Sequence, residues 1–512
     1  MKKRLLKCLC ALLLLPALLT GCWQEDSFSD TDLLQPAEED SGTVENRVIL
    51  PEHFSLPYAP DRSLDPITCS DGMQQVVASL ICEGLFRLGP DLEPEPWLCA
   101  GYTYDSASLT YVLTLRSGVV FSDGSPLTAA DVKASLDRAR SSERYHSRLS
   151  GIRSISAGDG AVTISLTTPN SALPALLDIP VTKSGSERNT APIGTGPYFF
   201  SQEESGAYLV SNQSWWQGGG HPVDRISLIE AADQDTMLYR FTSHDVQLIV
   251  ADLTGTSPIT ATGNINYRDA NTTILQYVGC NVTRAPLDNA AFRRILGMGI
   301  NRPYIVSAFL SGHGTAAQFP ISPASLLYPA ELEQRYSHDA FTAALAESGY
   351  TADSPLTLLV NEENSFKVSV ANYLADSFTA AGVPVHVRAL PWAEFQTALA
   401  AGEFDLFYGE VKLTADWDLS SLLAAAGALN YGGWANDQTD QLLAEFAAAA
   451  DRTAAANTLC SHLQSQAPIL PVCFKSTSVL IQANVLDGLS PTMAEPFYNL
   501  SACTIHLRED ST

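Results

Sequence analysis

Residues 356–412 alternate strand-like and helix-like segments, and this alternation constrains the fold more than any other feature. The apolar stretch Leu356–Asn361 ("LTLLVN") is strand-like, residues 369–382 ("SVANYLADSFTAAG") are helical in pattern, and the strand-like "VPVHVRAL" follows. A second helical stretch, "AEFQTALAAG", leads into the strand-like "FDLFYGEV". A β-α-β-α-β order places parallel strands under covering helices. The sequence therefore predicts an α/β fold.

The length of the chain implies several hydrophobic cores. A chain of 512 residues is too long for one core, so two or three domains are expected. The hydrophobic fraction of 46% is that of a globular protein. Further helices are predicted over residues 340–345 and, as one alanine-rich helix, over residues 447–463.

The net charge argues against anionic partners. It is −26 for the whole chain, and removal of the four positive charges in the first seven residues leaves −30. Such a chain is repelled by nucleic acid and by an anionic membrane surface. We therefore expect no nucleic-acid partner.

The amino terminus has the pattern of a lipoprotein signal. A basic start, an apolar run too short to span a bilayer and "LTGC" ending at Cys22 resemble the bacterial lipobox. We predict a signal peptide over residues 1–21, lipidation of Cys22 and a disordered acidic tether over residues 22–45, so that the protein is lipid-anchored at the extracytoplasmic face of the cell membrane. An ordinary secretory peptide or an uncleaved anchor remains the alternative.

The cysteines beyond Cys22 give no complete disulfide framework. Seven remain, an odd number at irregular spacing, and none forms a C-x-x-C pair. We expect mostly buried free thiols, with one or two bridges possible outside the cytoplasm.

A polar cluster in residues 122–139 ("SDGSPLTAADVKASLDRA") could suggest a hydrolase site, but each member has a local backbone role. Asp123 and Gly124 fit a tight turn, and Thr128 with Asp131 three residues later fits a capping box that begins a helix. The cluster therefore predicts a turn and a helix cap rather than catalysis.

No motif for covalent or metal chemistry is present in the sequence. G-x-S-x-G, S-x-x-K and H-E-x-x-H are all absent, and no two histidines lie three or four residues apart. The glycines of "GTGPY" predict a tight turn, since no Lys-Ser/Thr follows them. We therefore expect a protein that is not an enzyme, with no cofactor and no metal site.

Several blocks follow one another in a fixed order along the chain. They are "SLDP" at 63–66, "CEGLFRL" at 82–88, "PDLEPEPWLC", "LTYVLTLRSGVVFSDGSPLTAADVKASLDRA" at 109–139, "IGTGPYFF" at 193–200, "YVGCNV", "PLDNAAFRRILGMGINRPYIV" at 286–306 and "NYGGWANDQTDQLL" at 430–443. Together they resemble the family 5 extracellular solute-binding proteins, the receptors of peptide and nickel ABC importers. The resemblance covers nearly the whole chain from about Leu50.

This resemblance implies a periplasmic-binding-protein-like fold with two lobes, an interlobe ligand cleft and a subdomain inserted in lobe one. The expected core of lobe one covers residues 46–82, 193–277 and 476–512. The expected inserted subdomain covers residues 83–192, and lobe two covers residues 278–475. The chain is expected to cross between the lobes near Cys280 and near Phe474.

The resemblance also points to ligand-binding residues. The family often has an Ala-Asp-Tyr-x-Asp-Pro run whose first aspartate pairs with a peptide's α-amino group, and "Ala-Asp-Trp-Asp-Leu" keeps that aspartate as Asp416 and the aromatic residue as Trp417. One residue and the proline are missing, so Asp416 and Asp418 could instead cap the helix beginning "LSSLL".

The remaining candidate ligand-binding residues come from the same family resemblance. Tyr408 and Glu410 end the preceding strand, and Tyr431 and Trp434 lie in a glycine-rich turn expected near the cleft, where aromatic side chains supply apolar walls. Packing within the lobe is the alternative for that pair. The set is completed by Thr68 and Ser70, which lie just after "SLDP". Their alternative role is in a turn.

The resemblance implies a function in transport. We expect a monomeric receptor that captures a peptide-like solute and delivers it to an ABC permease with its ATPase subunits. The sequence leaves open a nickel chelate or another small solute as the ligand. It also leaves open a surface sensor that passes occupancy to a signalling partner.

Overall fold

The predicted β-α-β-α-β segment is present in the computed structural model, which describes residues 50–508. Its three strands belong to one sheet, and the first pairs in parallel with each of the other two. The α/β prediction is confirmed for this segment.

The strands of the described residues are β1 Ser55–Tyr58, β2 Phe86–Leu88, β3 Pro94–Pro96, β4 Cys99–Asp105, β5 Thr110–Leu115, β6 Ile152–Gly158, β7 Ala161–Leu166, β8 Tyr198–Glu203, β9 Gly206–Ser211, β10 Arg225–Glu230, β11 Leu248–Ala251, β12 Ile265–Cys280, β13 Gly314–Ala316, β14 Leu356–Asn361, β15 Val385–Leu390, β16 Leu406–Lys412, β17 Ile469–Gln482, β18 Leu486–Asp487 and β19 Thr504–Ile505.

The α-helices are α1 Gly72–Ser79, α2 Ala129–Ser141, α3 Gln234–Thr242, α4 Ala290–Met298, α5 Arg302–Phe309, α6 His338–Glu347, α7 Ser365–Ala381, α8 Trp392–Ala400, α9 Ser420–Leu423, α10 Asp437–Ala448 and α11 Arg452–Gln466. Short 3-10 helices cover Leu173–Leu176, Ala330–Leu332 and Leu500–Ala502.

Three larger sheets organise these elements into two lobes. Lobe one contains a four-stranded sheet in the order β1-β10-β9-β8. The inserted subdomain contains an antiparallel sheet in the order β4-β5-β7-β6, with α2 packed against it. A seven-stranded sheet follows the order β11-β17-β12-β16-β14-β15, with β13 paired to β17, and its β16, β14 and β15 side forms the centre of lobe two.

The long strands β12 and β17 connect the lobes. The first part of β12 pairs only with β17, whose far end pairs with β11, whereas Ile274 to Cys280 also pair with β16 of lobe two. The β12–β17 register shifts between Asn271 and Leu275, beside Phe474. A β-bulge or similar irregularity at this place bends the ladder locally. Because β12 and β17 are paired with each other, the two segments that cross between the lobes lie side by side. The exact division of the chain into lobes stays a prediction.

Each part of the molecule has its own buried core. Phe54, Tyr198 and Ile481 belong to the core of lobe one, and Tyr111 and Val132 to that of the inserted subdomain. The part of the lobe-two sheet where β14 and β16 pair in parallel is buried on both faces, as is usual for parallel strands. Its two faces receive alternate residues of β16, because successive side chains of a strand point to opposite sides.

The polar cluster of residues 122–139 has the local structure that the sequence predicts. Thr128 is the N-cap of α2, and Thr128 and Asp131 form a reciprocal capping box. Asp131 also accepts the backbone N–H of Ser184 at 3.0 Å, which ties the helix start to a neighbouring loop. Gly124 has a left-handed φ of 83°, as the tight turn requires. The cluster is architectural.

The predicted helix over residues 447–463 is wrong as one element. The segment forms the end of α10 and most of α11, and the chain breaks between them at Ala449, which has an extended backbone. Asp451 then caps α11 by accepting the N–H of Ala454 at 3.1 Å. Alanine gives no stop signal, and the N-cap at Asp451 is the signal that marks the boundary.

The seven cysteines beyond Cys22 are all buried and unpaired. Burial raises the pKa of most of these thiols, which keeps them in the neutral form. The expectation of buried free thiols is confirmed, and none of the bridges that the sequence allowed is formed. Cys22 lies outside the described residues.

Within residues 50–508, no helix combines the length and the apolar character needed to cross a bilayer.

Candidate functional site

A cavity of about 700 Å³ lies where the inserted subdomain meets lobe two. Its walls come from the segments around residues 147–176 on one side and around residues 411–447 on the other. The chemistry of the walls is mixed, with apolar side chains interrupted by Arg148, Asn170, Lys412, Asp416 and Asp440. A large apolar cleft with a few convergent polar groups is the usual form of a ligand site.

Asp416 is at the contact between the two walls. It is 5% exposed, and its Oδ2 accepts a hydrogen bond of 2.8 Å from Nδ2 of Asn170 in the inserted subdomain. Its Oδ1 accepts from the Thr414 hydroxyl and, at 3.4 Å, from the Asp418 backbone N–H. The carboxylate that the sequence predicts as a ligand residue therefore also connects the lobes.

Positively charged side chains surround Asp416. Arg452 donates to the Asp416 carbonyl oxygen, and Arg148 pairs with Asp178 within the inserted subdomain. Burial lowers the pKa of Arg148 to about 10, and burial likewise lowers the pKa of Arg452, while the charge of Asp416 opposes both shifts. The pKa of Lys412 is lowered by burial and then by Arg144 and Arg148.

Trp417 is held in a strained conformation. Its φ is 56°, a left-handed value that is rare for a bulky residue and costs about 1–3 kcal/mol. The side chain is completely buried and packs edge-on against Phe474 with a centroid distance of 5.8 Å. This packing fixes the turn that presents Asp416, and Trp417 itself lines the cavity.

Neither Asp416 nor Asp418 is the cap of the helix that follows. The N-cap of α9 is Leu419, which makes no side-chain capping bond. Asp418 Oδ1 accepts the N–H of Ser420 at 2.9 Å, so it supports the turn just before the helix. The capping alternative is thus replaced by a local turn at Asp418 and an interlobe contact at Asp416.

Tyr408 and Glu410 lie at the strand crossing, outside the cavity. Tyr408 is fully buried, its hydroxyl donates to Gln276 Oε1 at 2.9 Å, and burial raises its pKa well above the usual value. Glu410 accepts from Gln276 Nε2 at 2.9 Å and lies 3.5 Å from Lys367 Nζ and 3.6 Å from Lys475 Nζ. In this structure both residues belong to a buried polar network, and a ligand contact for them stays a prediction.

Tyr431 and Trp434 pack inside lobe two. They line a much smaller cavity, of about 10 Å³, together with residues of β12 and α9. The Trp434 indole N–H donates to the Thr439 hydroxyl at 3.2 Å, and the Arg293 guanidinium lies 5.5 Å from its ring centroid. The geometry favours the packing role for both, and their ligand role stays a prediction.

Thr68 and Ser70 are exposed in the loop between β1 and α1. The Thr68 hydroxyl donates to Asp65 Oδ2 at 2.8 Å, which is the contact expected of a turn residue. Between them, the carbonyl oxygen of Cys69 accepts from Arg144 Nη1 at 3.0 Å. This loop is therefore tied to the inserted subdomain through Arg144, which does not line the cavity.

The sequence reasoning missed Asn170, Arg148 and Lys412. Lys412 could have been found, because it follows Tyr408 and Glu410 at the two-residue period that places side chains on one face of a strand. Asn170 and Arg148 carry no comparable signal, since they lie more than 240 residues before Asp416 in the chain and meet it only through the fold.

Another cavity, of about 350 Å³, is formed within lobe two between α4, α11 and the loop at residues 318–337. It does not reach the interlobe contact. Among residues 50–508, no group of three or more histidine, cysteine, aspartate or glutamate side chains is placed to hold a metal ion.

Two lobes joined by crossing strands, with a large mixed-polarity cavity where they meet, define a solute-binding protein. The sequence profile described as bacterial extracellular solute-binding proteins, family 5 (middle), matches residues 93–432. The chain belongs to this family, whose members bind solutes. The predicted fold class and family are confirmed.

Relatives and solved structures agree with this assignment. The glutathione-binding protein GsiB of Salmonella typhimurium is 29% identical over 413 residues, covering 75% of this chain and 80% of the relative. The ABC transporter substrate-binding protein CtaP of Listeria monocytogenes superposes with a TM-score of 0.72 at 18% identity, covering 89% of this chain and 99% of CtaP. The oligopeptide-binding protein AppA of Bacillus subtilis, in complex with a nonapeptide, gives a TM-score of 0.60 at 18% identity, covering 90% and 99%.

Proposed function

We propose that the protein is the lipid-anchored substrate-binding component of an ABC importer, which captures a peptide-like solute between its lobes and delivers it to the permease. The observation that carries this proposal is the 700 Å³ cavity between the inserted subdomain and lobe two, bridged by Asn170 and Asp416. A ligand that contacts both walls favours the arrangement in which the lobes meet. That arrangement is then the one the permease recognises.

The peptide-like class of the ligand is supported by the relatives and by Asp416. GsiB is named for glutathione, a tripeptide, and AppA holds a nonapeptide. A buried carboxylate that lines a cleft can accept a charge-assisted hydrogen bond from a peptide's ammonium group. Asp416 has this position, with a neutral partner, Asn170, on its Oδ2.

Binding without turnover is supported by the lining of the cavity. None of the described side chains that line it is a histidine or a cysteine, and none of its serine hydroxyls hydrogen-bonds to an aspartate or lysine side chain. Nucleophilic catalysis needs such a pair within hydrogen-bond reach. We infer that the ligand leaves the protein chemically unchanged and that each monomer binds one ligand.

Anchoring through Cys22 is supported by the sequence alone, since this residue lies outside the described part of the chain. The basic start, the short apolar run and "LTGC" supply the argument. A lipid anchor would keep the receptor close to the permease.

The ligand can be identified by denaturing the purified protein and analysing the released small molecules by mass spectrometry. We expect a peptide in a ratio of one per chain, and calorimetry with that peptide should give the same ratio. Release of a metal with its chelator would contradict the peptide class, while recovery of a hydrolysed product would contradict binding without turnover.

A further inference from the structure

The cavity of about 350 Å³ within lobe two, here called the α4–α11 cavity, is separate from the interlobe cleft. None of the described residues lines both cavities. Its size is that of a small-molecule site. Most of its lining is apolar, and Phe319, Leu463 and Leu470 are fully or almost fully buried parts of it. An occupant of this space needs an apolar body.

The loop at residues 318–337, which forms one wall of the α4–α11 cavity, is fixed by side-chain hydrogen bonds. Gln318 Nε2 donates to the Gln334 carbonyl oxygen at 2.6 Å, and Gln318 Oε1 accepts the Gln334 N–H at 3.0 Å. From α11, Gln464 Nε2 donates to the Leu332 carbonyl oxygen at 2.8 Å. The three glutamines all line the cavity. These bonds hold the loop closed on itself and against α11, so the cavity is a built feature of lobe two.

The charged residues of this lining are three arginines. Arg294, Arg302 and Arg335 line the α4–α11 cavity, and no aspartate or glutamate of residues 50–508 does so. The whole chain has the opposite balance, with 56 acidic against 30 basic residues. Among the described residues, no carboxylate lies within ion-pair distance of these three guanidinium groups. Arg294 and Arg335 are exposed, so the cavity is open to solvent beside two positive charges.

Arg302 brings an accessible donor to the apolar part of the cavity. Its Nε donates to the carbonyl oxygens of Pro471 at 2.7 Å and Ala317 at 3.1 Å. Its Nη1 donates to the carbonyl oxygens of Gly297 at 3.2 Å and Ile300 at 3.4 Å. Its Nη2 makes no hydrogen bond within residues 50–508 and keeps solvent-accessible surface. The guanidinium is therefore held in place by two of its nitrogens, while the third can donate to a ligand.

The carboxylate of Glu333 does not occupy this donor. Burial lowers the pKa of Arg302 to about 10, while Tyr328 and Glu333 oppose the shift, so the guanidinium stays charged at neutral pH. Glu333 does not line the cavity, and its Oε1 accepts the Tyr328 hydroxyl. An anion inside the cavity can therefore pair with Arg302 without displacing a carboxylate of the protein.

We propose that the α4–α11 cavity is a second ligand site, which binds a small organic anion with an apolar body, of the chemistry of a medium-chain carboxylic acid. The apolar body packs against Phe319 and Leu470, and the carboxylate accepts from Nη2 of Arg302. Arg294 and Arg335 attract the anion from solvent. The site goes beyond the proposed function, because it lies within lobe two and needs neither the interlobe solute nor the approach of the lobes.

Three probes test the chemistry of this site on the full-length mature protein: octanoate, 1-octanol and acetate, each at the same ionic strength. Calorimetry should show that octanoate binds at least ten-fold more tightly than 1-octanol, which lacks the charge, because a hydrogen bond to a charged group is lost. Acetate, which lacks the apolar body, should also bind at least ten-fold more weakly. Equal affinity for octanoate and 1-octanol would contradict recognition of the anion by the arginines.

Two variants locate the octanoate site. Arg302→Met should weaken octanoate binding at least ten-fold, and Arg388→Met is its control, because Arg388 is exposed on β15 and does not line the cavity. Ala340→Trp adds a large side chain to the lining from an exposed position on α6 and should abolish octanoate binding. Ala346→Trp is the matched control, since Ala346 is exposed on the same helix and outside the lining. Both controls should bind octanoate as the wild type does.

The outcomes separate this site from the interlobe cleft. No binding of octanoate by the wild type, or the same binding by the wild type and Ala340→Trp, overturns the proposal. Ala340→Trp decides the question even where Arg302→Met folds poorly, because position 340 is exposed and makes no buried side-chain contact of its own. The proposed function is tested apart from this site, since the solute of the interlobe cleft should bind the wild type and Ala340→Trp equally.

Discussion

Asn170 of the inserted subdomain donates a hydrogen bond of 2.8 Å to the carboxylate of Asp416 in lobe two. The two residues lie 246 positions apart in the chain. The bond joins opposite walls of the cavity, and its acceptor is charged and buried, so it contributes more than a neutral surface hydrogen bond. Under the proposed function, it would link ligand binding at Asp416 to the approach of the lobes.

Exchanging these two side chains tests the link. Asn170→Asp places two carboxylates in contact and should weaken ligand binding by about ten-fold or more, because like charges then oppose closure. The double variant Asn170→Asp, Asp416→Asn restores one amide and one carboxylate and should recover part of that loss. Calorimetry with the released ligand measures both, and additive effects would contradict a direct contact.

Asp416→Asn alone tests whether the carboxylate pairs with a peptide's ammonium group. If it does, the variant should lose about 2–5 kcal/mol of binding free energy, or roughly 30- to 5,000-fold in affinity. Acetylating the peptide's amine should weaken wild-type binding by a similar factor and leave the variant nearly unaffected. Equal binding of free and acetylated peptides by the wild type would exclude this role.

The capping box of α2 gives a prediction on stability. Thr128→Ala should lower the free energy of unfolding by about 1 kcal/mol, within the range of 0.5–2 for lost N-caps. Thr128→Ser keeps the hydroxyl and should cost much less. Asp131→Ala should cost more than Thr128→Ala, because Asp131 also accepts the Ser184 N–H. Urea denaturation at constant pH provides the measurement.

Glu495 gives a prediction on pH dependence. Burial, with Glu83 and Glu95 nearby, raises its pKa to about 7, while Arg87 opposes the shift. The folded protein thus holds this proton more tightly than the unfolded chain. Stability should therefore fall as the pH rises from about 4.5 to about 7, by about 3 kcal/mol at most.

The variant Glu495→Gln should flatten the pH profile over that interval, as followed by urea denaturation at fixed ionic strength. Glu204→Gln, at an exposed position between β8 and β9, is the control and should leave the profile unchanged. A profile that is identical in the wild type and Glu495→Gln would show that this carboxyl does not titrate with a raised pKa.

Cys22→Ser tests the lipid anchor. The variant should be released from the membrane fraction or accumulate as an unprocessed precursor, because serine cannot form the thioether that carries the lipid. Fractionation and mass spectrometry of the amino-terminal peptide distinguish these results. Normal processing together with unchanged membrane retention would contradict lipidation at this residue.

Local features were predictable wherever a short segment contained its own signal. The alternation in residues 356–412 gave β14, α7, β15, α8 and β16, because hydrophobic period and helix-ending glycines act within a few residues. Gly382 ends α7 in a left-handed conformation, which glycine adopts without steric cost. The break between α10 and α11 was missed because alanine favours helix on both sides and only the cap at Asp451 marks the boundary.

The site was predictable only in part. The motif around Asp416 placed a carboxylate and an indole in the correct turn, but its partner Asn170 was not predictable, because no local pattern records a contact made across two lobes. Tyr431 and Trp434 lie in a glycine-rich turn, yet the hydrogen bond from the Val282 N–H to the Gly432 carbonyl oxygen, just after β12, holds that turn against lobe two.

The sequence by itself determined the α/β class, the cap of α2, the family and the turn that presents Asp416, because these depend on periodicity, on side chains a few residues apart or on long ordered motifs. The tertiary structure alone decided which wall each charge faces and which donors are buried without an acceptor. The physical reason is that burial and pairing of a charge depend on the packing of distant segments: Arg148 and Lys412 become parts of one site only when the inserted subdomain meets β16.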